Sequence, residues 1–478
     1  MLRAGSLALV LAAAGIAPPP AAATAADAPS EAAPADEAEK LRRRIQVIEE
    51  LVTKLQGDLE ALRSQARGGG PATAATIQDL EKQINALAAE VARLREAEEP
   101  PPAAVSVNGL DPSASKVYHA KRGLVFGGYG SALYERFTDS RDDDTPSTIV
   151  DRADLSEAFF SIGYRFGERF LFNSSIGIEH ALAEDGSASG EAAVEFAYID
   201  YKAMKHLGAR GGLLLMPLGW LNELHDPNGY FGARRPEVEQ RILPTTWREV
   251  GAGVYGDAGP VTWRAYLVTG LDAAGFTEDE GIRDGRQQGS EARASDVALT
   301  AGVDWRPIRN RAFGELIVGA SAFSGRTEQD RPGFPPGRLS LWDLHGQYDW
   351  RGLRVRALLV ENILSDAGEI SLAIDPTMGT AIGERMRGWY LEIGYDVMRN
   401  LKRSGQTVAP FCRYEQLDTQ DEVPPGFSGD PENDMTVKTC GVSYLPIPEI
   451  AIKIDAQNFN NGAQTATDQI NLGVGWSF

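Results

Sequence analysis

The chain has 478 residues, a formal net charge of −20 and a mean hydropathy of only −0.26, yet it carries 51 Gly, 17 Phe, 14 Tyr and 8 Trp. The acidic balance excludes nucleic acid, whose phosphates it would repel, and two cysteines exclude a disulfide framework or a zinc cluster. A membrane barrel remains open, because strands that alternate lipid-facing and lumen-facing residues average to a modest hydropathy.

Residues 1–26 read as an export signal. Arg3 opens it, residues 7–16 form a short apolar run, and Ala21-Ala22-Ala23 or Thr24-Ala25-Ala26 offers a small-residue cleavage site. The run falls short of the about 20 residues that a membrane helix needs, and no later segment supplies one. With cysteines only at Cys412 and Cys440, the expectation is a chain without an amino-terminal lipid.

Residues 37–98 carry heptads. Leu41, Ile48, Leu55 and Leu62 hold one seam position, and Ile45, Val52 and Leu59 the other. Ile77, Ile84 and Val91 then alternate with Leu80, Leu87 and Leu94. The spacing predicts an α-helical coiled coil broken at 68–71 by Gly68-Gly69-Gly70-Pro71, as a hinge or a fold-back hairpin. A single amphipathic helix lying on a barrel or a membrane satisfies the same pattern. Pro100-Pro101-Pro102 ends the helical region, and 99–119 reads as a linker.

From residue 120 the period changes to two. Strand-like runs fall at 122–135, 154–166, 170–181, 191–203, 207–216, 248–255, 261–270 and 293–306, then at 311–323, 339–350, 352–364, 386–398, 407–418, 435–446, 449–460 and 467–478. Most reach the about 9–11 residues of a tilted membrane strand. Short turns (167–169, 205–206, 256–260, 307–310, 350–352, 446–448) alternate with long loops near 136–153, 217–247, 271–292, 324–338, 365–385 and 419–434. This parity predicts an all-β fold over 120–478: a 16-stranded antiparallel transmembrane β-barrel preceded by the coiled coil. Both ends of the barrel domain then lie in the periplasm.

In the last run Ile470, Leu472, Val474, Trp476 and Phe478 share one face. A strand closing on an aromatic residue resembles the carboxy-terminal signal of outer-membrane barrels, which implies an assembly role for Trp476 and Phe478 toward the barrel assembly machinery. Trp305, Trp350, Trp389, Tyr395 and Trp476 suit interfacial girdles. Outer-membrane lipid and lipopolysaccharide are the expected surroundings. The acidic clusters in the long loops, such as Asp142-Asp143-Asp144, are read as solvated charge, with a Ca²⁺ site or cation bridges to lipopolysaccharide as alternatives. None of the five histidines has a His or Cys partner at metal-ligand spacing, and no Ser lies in a nucleophile elbow, so neither cofactor nor enzyme activity is expected.

The segment 217–249 exceeds an ordinary connection more than twofold and is a candidate constriction loop. It contains Pro217-Leu218-Gly219, Arg234-Arg235-Pro236-Glu237-Val238-Glu239 and Leu243-Pro244-Thr245-Thr246-Trp247-Arg248-Glu249-Val250-Gly251. With Pro410-Phe411-Cys412-Arg413-Tyr414-Glu415 further on, the chain resembles the phosphate-selective (O/P) porin family over about 120–478. That resemblance implies a homotrimer, a lumen carrying Arg and Lys, and a third loop folded inward. Period two points Arg264, Arg306, Arg354, Arg356, Arg413 and Lys453 into the lumen. With Arg234, Arg235, Arg241 and Arg248 they form the candidate anion path. Glu315, Asp343, Asp349, Glu392, Glu415 and Asp455 point inward too, so a pure basic ladder is absent. Cys412 and Cys440 fall opposite one another about a loop centred near 426, as a cross-strand disulfide or as reduced neighbours. The function these features predict is a porin passing small, chiefly anionic solutes such as phosphate. The alternative is a structural anchor whose coiled coil tethers the envelope or a partner.

Overall fold

The computed structural model describes residues 109–181, 190–310, 312–377, 379–399 and 405–478, with 54–57, 81, 82, 85 and 87. The chain divides into two units, Met1–Pro102 and Ala103–Phe478. In the first, the described residues are helical; the export signal, most of the heptad region and the break at 68–71 lie outside the described residues.

The second unit is a closed barrel of sixteen antiparallel strands. In order they are β1 (Gly123–Phe137), β2 (Arg152–Arg165), β3 (Phe170–Glu179), β4 (Glu191–Met204), β5 (Leu207–Leu215), β6 (Arg248–Ala258), β7 (Val261–Thr269) and β8 (Val297–Asn310). There follow β9 (Gly314–Arg326), β10 (Arg338–Trp350), β11 (Leu353–Leu364), β12 (Arg385–Tyr395), β13 (Thr407–Glu422), β14 (Asp434–Ile447), β15 (Ile450–Asn461) and β16 (Gln469–Ser477). Each strand pairs with the next in sequence, and β16 returns to β1, with Gly130 opposite Trp476 and Tyr134 opposite Leu472.

Two predicted turns overlap strands: 307–310 lies wholly within β8, and of 446–448 only Pro448 falls in the actual turn. Pro307 and Pro446 read as breakers because proline cannot donate to a ladder. Both are carried inside strands where the register shifts, between Trp305 and Ile308 and between Tyr444 and Ile447. At one of the two-residue hairpins Trp350 faces Leu353, and the connecting Arg351 and Gly352 both have positive φ, 50° and 86°. That is the two-residue turn whose twist matches its strands.

Alternation directs the wall. Phe126, Phe160, Leu267, Leu299, Leu344, Leu391, Ile454 and Leu472 point outward and are exposed, which is the apolar band that lipid covers. Trp305 and Tyr395 lie outward near strand ends. The inside also holds apolar residues. Phe196, Phe323, Leu358, Val360 and Leu417 project from the wall into a buried cluster with Leu110, Val117, Met216, Val238, Trp247 and Ile370. Much of this core comes from outside the strands: from loop residues such as Leu110, Met216 and Trp247, and from α1 (Pro112–His119), α2 (Glu237–Arg241) and α3 (Ala367–Ile374). The expected linker at 99–119 is thus corrected. Its last part is a helix, started by Asp111 accepting from Ala114 N at 2.9 Å with Pro at the first turn, and it packs on β1–β3.

Candidate functional site

The connection between β5 and β6 builds the site. Met216 N donates to Trp247 O (3.0 Å), pinning its ends together. Asn222 clamps the same base: its Nδ2 donates to Met216 O (2.7 Å) and Trp247 O (2.8 Å), and its Oδ1 accepts from Trp247 N (2.6 Å). From this clamp the loop crosses to inward side chains of distant strands. Gly219 N donates to Asp343 on β10 (3.1 Å), Val238 N to Glu415 on β13 (3.2 Å) and Ala233 N to Asp455 on β15 (2.6 Å). Asn362 of β11 donates to Ile242 O (2.8 Å), and Asn228 donates to Ser477 on β16 (3.1 Å). Glu239, fully buried in α2, accepts from Tyr390 on β12 (2.6 Å) and from Leu221 N and Trp220 N of its own loop (2.7 and 3.2 Å). Residues 217–247 therefore lie inside the barrel.

The predicted basic column mostly holds this loop and its neighbours. Lys453 donates to Tyr230 O (2.7 Å) and Gly232 O (2.9 Å), and Arg356 to Gly229 O (3.1 Å) and Gln347 (2.8 Å). Arg413 pairs with Glu415 (2.7 Å) and Glu392 (3.3 Å), and Arg264 with Glu223 (3.1 Å) and Asp304 (3.2 Å). Arg354 pairs with Asp349 (2.7 Å), Arg306 with Glu315 (3.7 Å), Arg241 with Glu237 (3.4 Å) and Arg235 with Glu157 (2.7 Å); Arg234 bonds Glu135. Each of these cations has a carboxylate or carbonyl partner. Together they act as fasteners more than as an open column.

Arg248 differs. It is 7 % exposed and forms no close ion pair among the described residues, though the Glu195 carboxylate lies within electrostatic reach. It lines a cavity of about 950 Å³ at the long-loop end, bounded by β1–β4 and by the loop that follows β7. Arg283 and Arg286 of that loop line it too. Arg286 donates to the carbonyls of Pro244 (2.7 Å) and Thr246 (3.0 Å), and Arg283 to Gln240 O and Thr245 O; the nearest carboxylate to Arg283, on Glu280, is 3.9 Å away. Burial, with the charges of Arg283 and Arg248 beside it, pulls the Arg286 guanidinium down to about 9. Three cations thus crowd one wall of the cavity; Asp284 and Glu179 offset part of their repulsion, and further carboxylates, Glu191 and Glu195 among them, line the rest.

A second cavity of about 260 Å³ opens at the short-turn end, lined by Tyr118, Arg165, Asp200, His206 and Tyr255 among others. Between the two cavities lies the segment 109–119. Ser113 Oγ is 3.4 Å from Ser161 Oγ, Asn173 donates to Ala114 O (3.0 Å), and Tyr118 donates to Asp200 (2.8 Å) and bonds the Tyr198 hydroxyl (3.0 Å). The wall beneath is recessed for it: a Cβ at Gly163 would sit 2.6 Å from Val117, and one at Gly127 2.7 Å from Ser113 O.

No protein-family model matches the chain. A protein of Aquifex aeolicus (strain VF5), described as uncharacterized, is 36% identical over 378 residues, which span 77% of this chain and 83% of that protein. The chain belongs to that family. Among solved structures it is similar to the Salmonella typhi OmpF complex with daunomycin (12% identity, 75% of this chain and 98% of that one, TM-score 0.49). It is also similar to an anion-selective porin from Comamonas acidovorans (10%, 75% and 100%, 0.47) and the outer membrane channel DcaP of Acinetobacter baumannii (12%, 75% and 98%, 0.47). These likenesses are distant, and the barrel assignment rests on the strand pairing itself.

Sequence reasoning passed over Arg283, Arg286 and the 109–119 segment of this family member. The arginines lie in a long loop without periodicity. The helix did have a signal: Asp111-Pro112 is an N-cap followed by proline at the first helical position.

Cys412 and Cys440 are directly opposed on β13 and β14 and disulfide-bonded. Trp476 packs close to Gly130, and Phe478 exchanges main-chain hydrogen bonds with Gly128 (3.0 and 2.8 Å), both at the β1–β16 seam.

Proposed function

We propose that the chain is an outer-membrane channel for passive diffusion of small anionic solutes, with its long loops outside the cell and its short turns in the periplasm. The observation that carries the reading is the convergence of Arg248, Arg283 and Arg286 on one wall of the outer cavity, where Arg248 and Arg286 form no close ion pair among the described residues although carboxylates such as Glu179, Glu195 and Asp284 line the same cavity. Cations without close ion-pair partners on one wall of a vestibule attract anions locally and lower their entry barrier. The paired cations deeper in the lumen, Arg264, Arg413 and Lys453 among them, set the width of the path. Phosphate, the solute class implied by the motif resemblance, fits such a vestibule, as do small carboxylates. Trimer formation, a periplasmic coiled coil from residues 37–98, contact with lipopolysaccharide and delivery by the barrel assembly machinery belong to the same proposal.

In planar bilayers the purified chain should give small stepwise currents, and under a salt gradient a reversal potential of anion-selective sign. Replacing Arg248 and Arg286 with Gln should move that potential toward zero. An unchanged potential removes the vestibule from the selectivity account.

A second reading, a barrel that serves as a structural anchor, is favoured by the apolar cluster inside the lumen, which includes Val238, Phe323 and Leu358. It predicts no current from any form of the chain.

A further inference from the structure

We propose that residues 109–119 are a built-in stopper: a segment of the chain seated on the inner wall between the two cavities, whose displacement joins them into one path. The inference rests on the channel reading above.

The wall under the segment is mixed: Leu171 and Phe196 belong to one apolar cluster with Leu110, Ala114 and Val117, and polar residues run between them. The outer cavity reaches Phe159 and Glu195, and the inner one reaches Leu171, Asp200 and Tyr255. Along the wall between them run Ser161, Asn173, Ser175 and Tyr198, each under 4 % exposed. The segment covers this track through Ser113, Ala114, Val117 and Tyr118, by the contacts given above. Surface meant to stay covered is normally apolar or fully hydrogen-bonded. Here the Ser175 hydroxyl and Asp111 Oδ2 are buried without a hydrogen-bond partner. Hydroxyls and amides facing a lumen can exchange the segment for water, and once bare they would line a hydrophilic groove from Glu195 to Asp200.

The segment is specific to its seat yet separable from the barrel. Gly127 and Gly163 leave room for Ser113 and Val117 that any side chain would fill. Among the described residues, no main-chain to main-chain hydrogen bond joins 109–119 to a strand; α1 keeps its own bond from Ser115 N to Asp111 O (3.0 Å). The ladder closes without it, from Tyr129–Ser477 to Phe137–Gln469 at the seam. Residues 120–122 link it to β1, which begins at Gly123 with φ +102°, so the helix can swing while the first strand stays paired.

The test uses single-channel recording on the full chain, on a variant lacking residues 109–119, and on a Ser113→Cys/Ser161→Cys variant. The deletion should raise unit conductance severalfold. If the deletion variant is folded, as shown by heat-modifiable migration, and conducts like wild type, the stopper is refuted. Should it fail to fold, the cysteine pair decides. Oxidation should hold the channel at its low level, and reduction should restore excursions to a higher one, with the Ser113→Cys single variant controlling for reduction of Cys412–Cys440. Identical traces in both redox states overturn the proposal. Absence of current from every form, the deletion included, refutes the channel reading itself, whereas wild-type current unaltered by the deletion and by the cross-link refutes the stopper alone.

Discussion

Glu239→Ala should release the inner loop while leaving the barrel closed. One carboxylate there accepts three hydrogen bonds, from Tyr390 on the wall and from Leu221 N and Trp220 N on the other limb of the loop, at 2.6, 2.7 and 3.2 Å. A hydrogen bond to a charged group contributes roughly 1.5–3 kcal/mol, and a stranded buried donor costs roughly 1–3 kcal/mol. Because the three share one acceptor their losses do not simply add, and the loop should lose about 4 kcal/mol. Tyr390→Phe removes only the wall contact, for about 2 kcal/mol. The loop carries its own reporters, since Arg234 and Arg241 are trypsin sites held inside the native lumen, while Pro236 protects the bond after Arg235. When opening is fast relative to cleavage, the cleavage rate follows the open population. At about 1.4 kcal/mol per tenfold, Glu239→Ala should be cut about 10²–10³ times faster than wild type in detergent micelles and Tyr390→Phe about thirtyfold faster. The double variant should be cut little faster than Glu239→Ala alone. Cleavage of Glu239→Ala within about threefold of wild type would show that the loop is held by its apolar contacts and not by this carboxylate.

Three other outcomes follow from the same geometry. Burial pushes the Glu223 carboxyl up to about 7 against the pull of Arg264, and burial with Asp111 nearby pushes Asp226 up to about 7. The folded loop thus holds protons that the unfolded chain has already released between the ordinary carboxylate range and about 7, so stability should fall as pH rises through that window and level off above it. A displacement of that size corresponds to about 3 kcal/mol for Glu223; loop cleavage normalised at each pH to trypsin's rate on an unfolded substrate should be slower at pH 5 than at pH 8, and a Glu223→Gln/Asp226→Asn variant should show a smaller slope. Ile454→Arg on the lipid face should cost about 2–4 kcal/mol in reversible unfolding into detergent, falling to about 0–1 kcal/mol for a site at the rim; a mid-strand cost near zero would mean that this face is not in lipid. Replacing Cys412 and Cys440 with Ser opens a link across a 28-residue separation and should lower stability by at most about 3–4 kcal/mol. Reversal potential should not change, since both cysteines face away from the lumen.

Most of the barrel was legible because its two signals are local. Period two aims each side chain, and the alternation of turn and loop lengths fixes direction, so the sixteen strands emerge with ends shifted by a few residues. Pro307 and Pro446 shifted two turns because a missing N–H is visible in sequence while the register slip that accommodates it is not. Parity placed Arg413 and Glu392 inward; that they are directly opposed on β12 and β13 needed the register. What an inward residue meets is not local at all. Phe196, Phe323 and Leu358 obey the alternation, yet whether they face water or a core depends on segments far away in the chain. The helix at 112–119 is too short for periodicity to distinguish from a linker, and its partners Asn173, Tyr198 and Asp200 lie on strands that follow it.

The loop that crosses the lumen also reaches the place where the sheet meets its own beginning. Pro227 sits where a side chain at Gly475 would be, Asn228 holds Ser477, and Arg234 holds Glu135 of β1. These contacts engage both strands of the closing pair. A closed cylinder with the loop still outside would lack them. The stowed loop therefore acts as a clasp on the closing seam, and a substitution that keeps it out of the lumen should weaken that seam first.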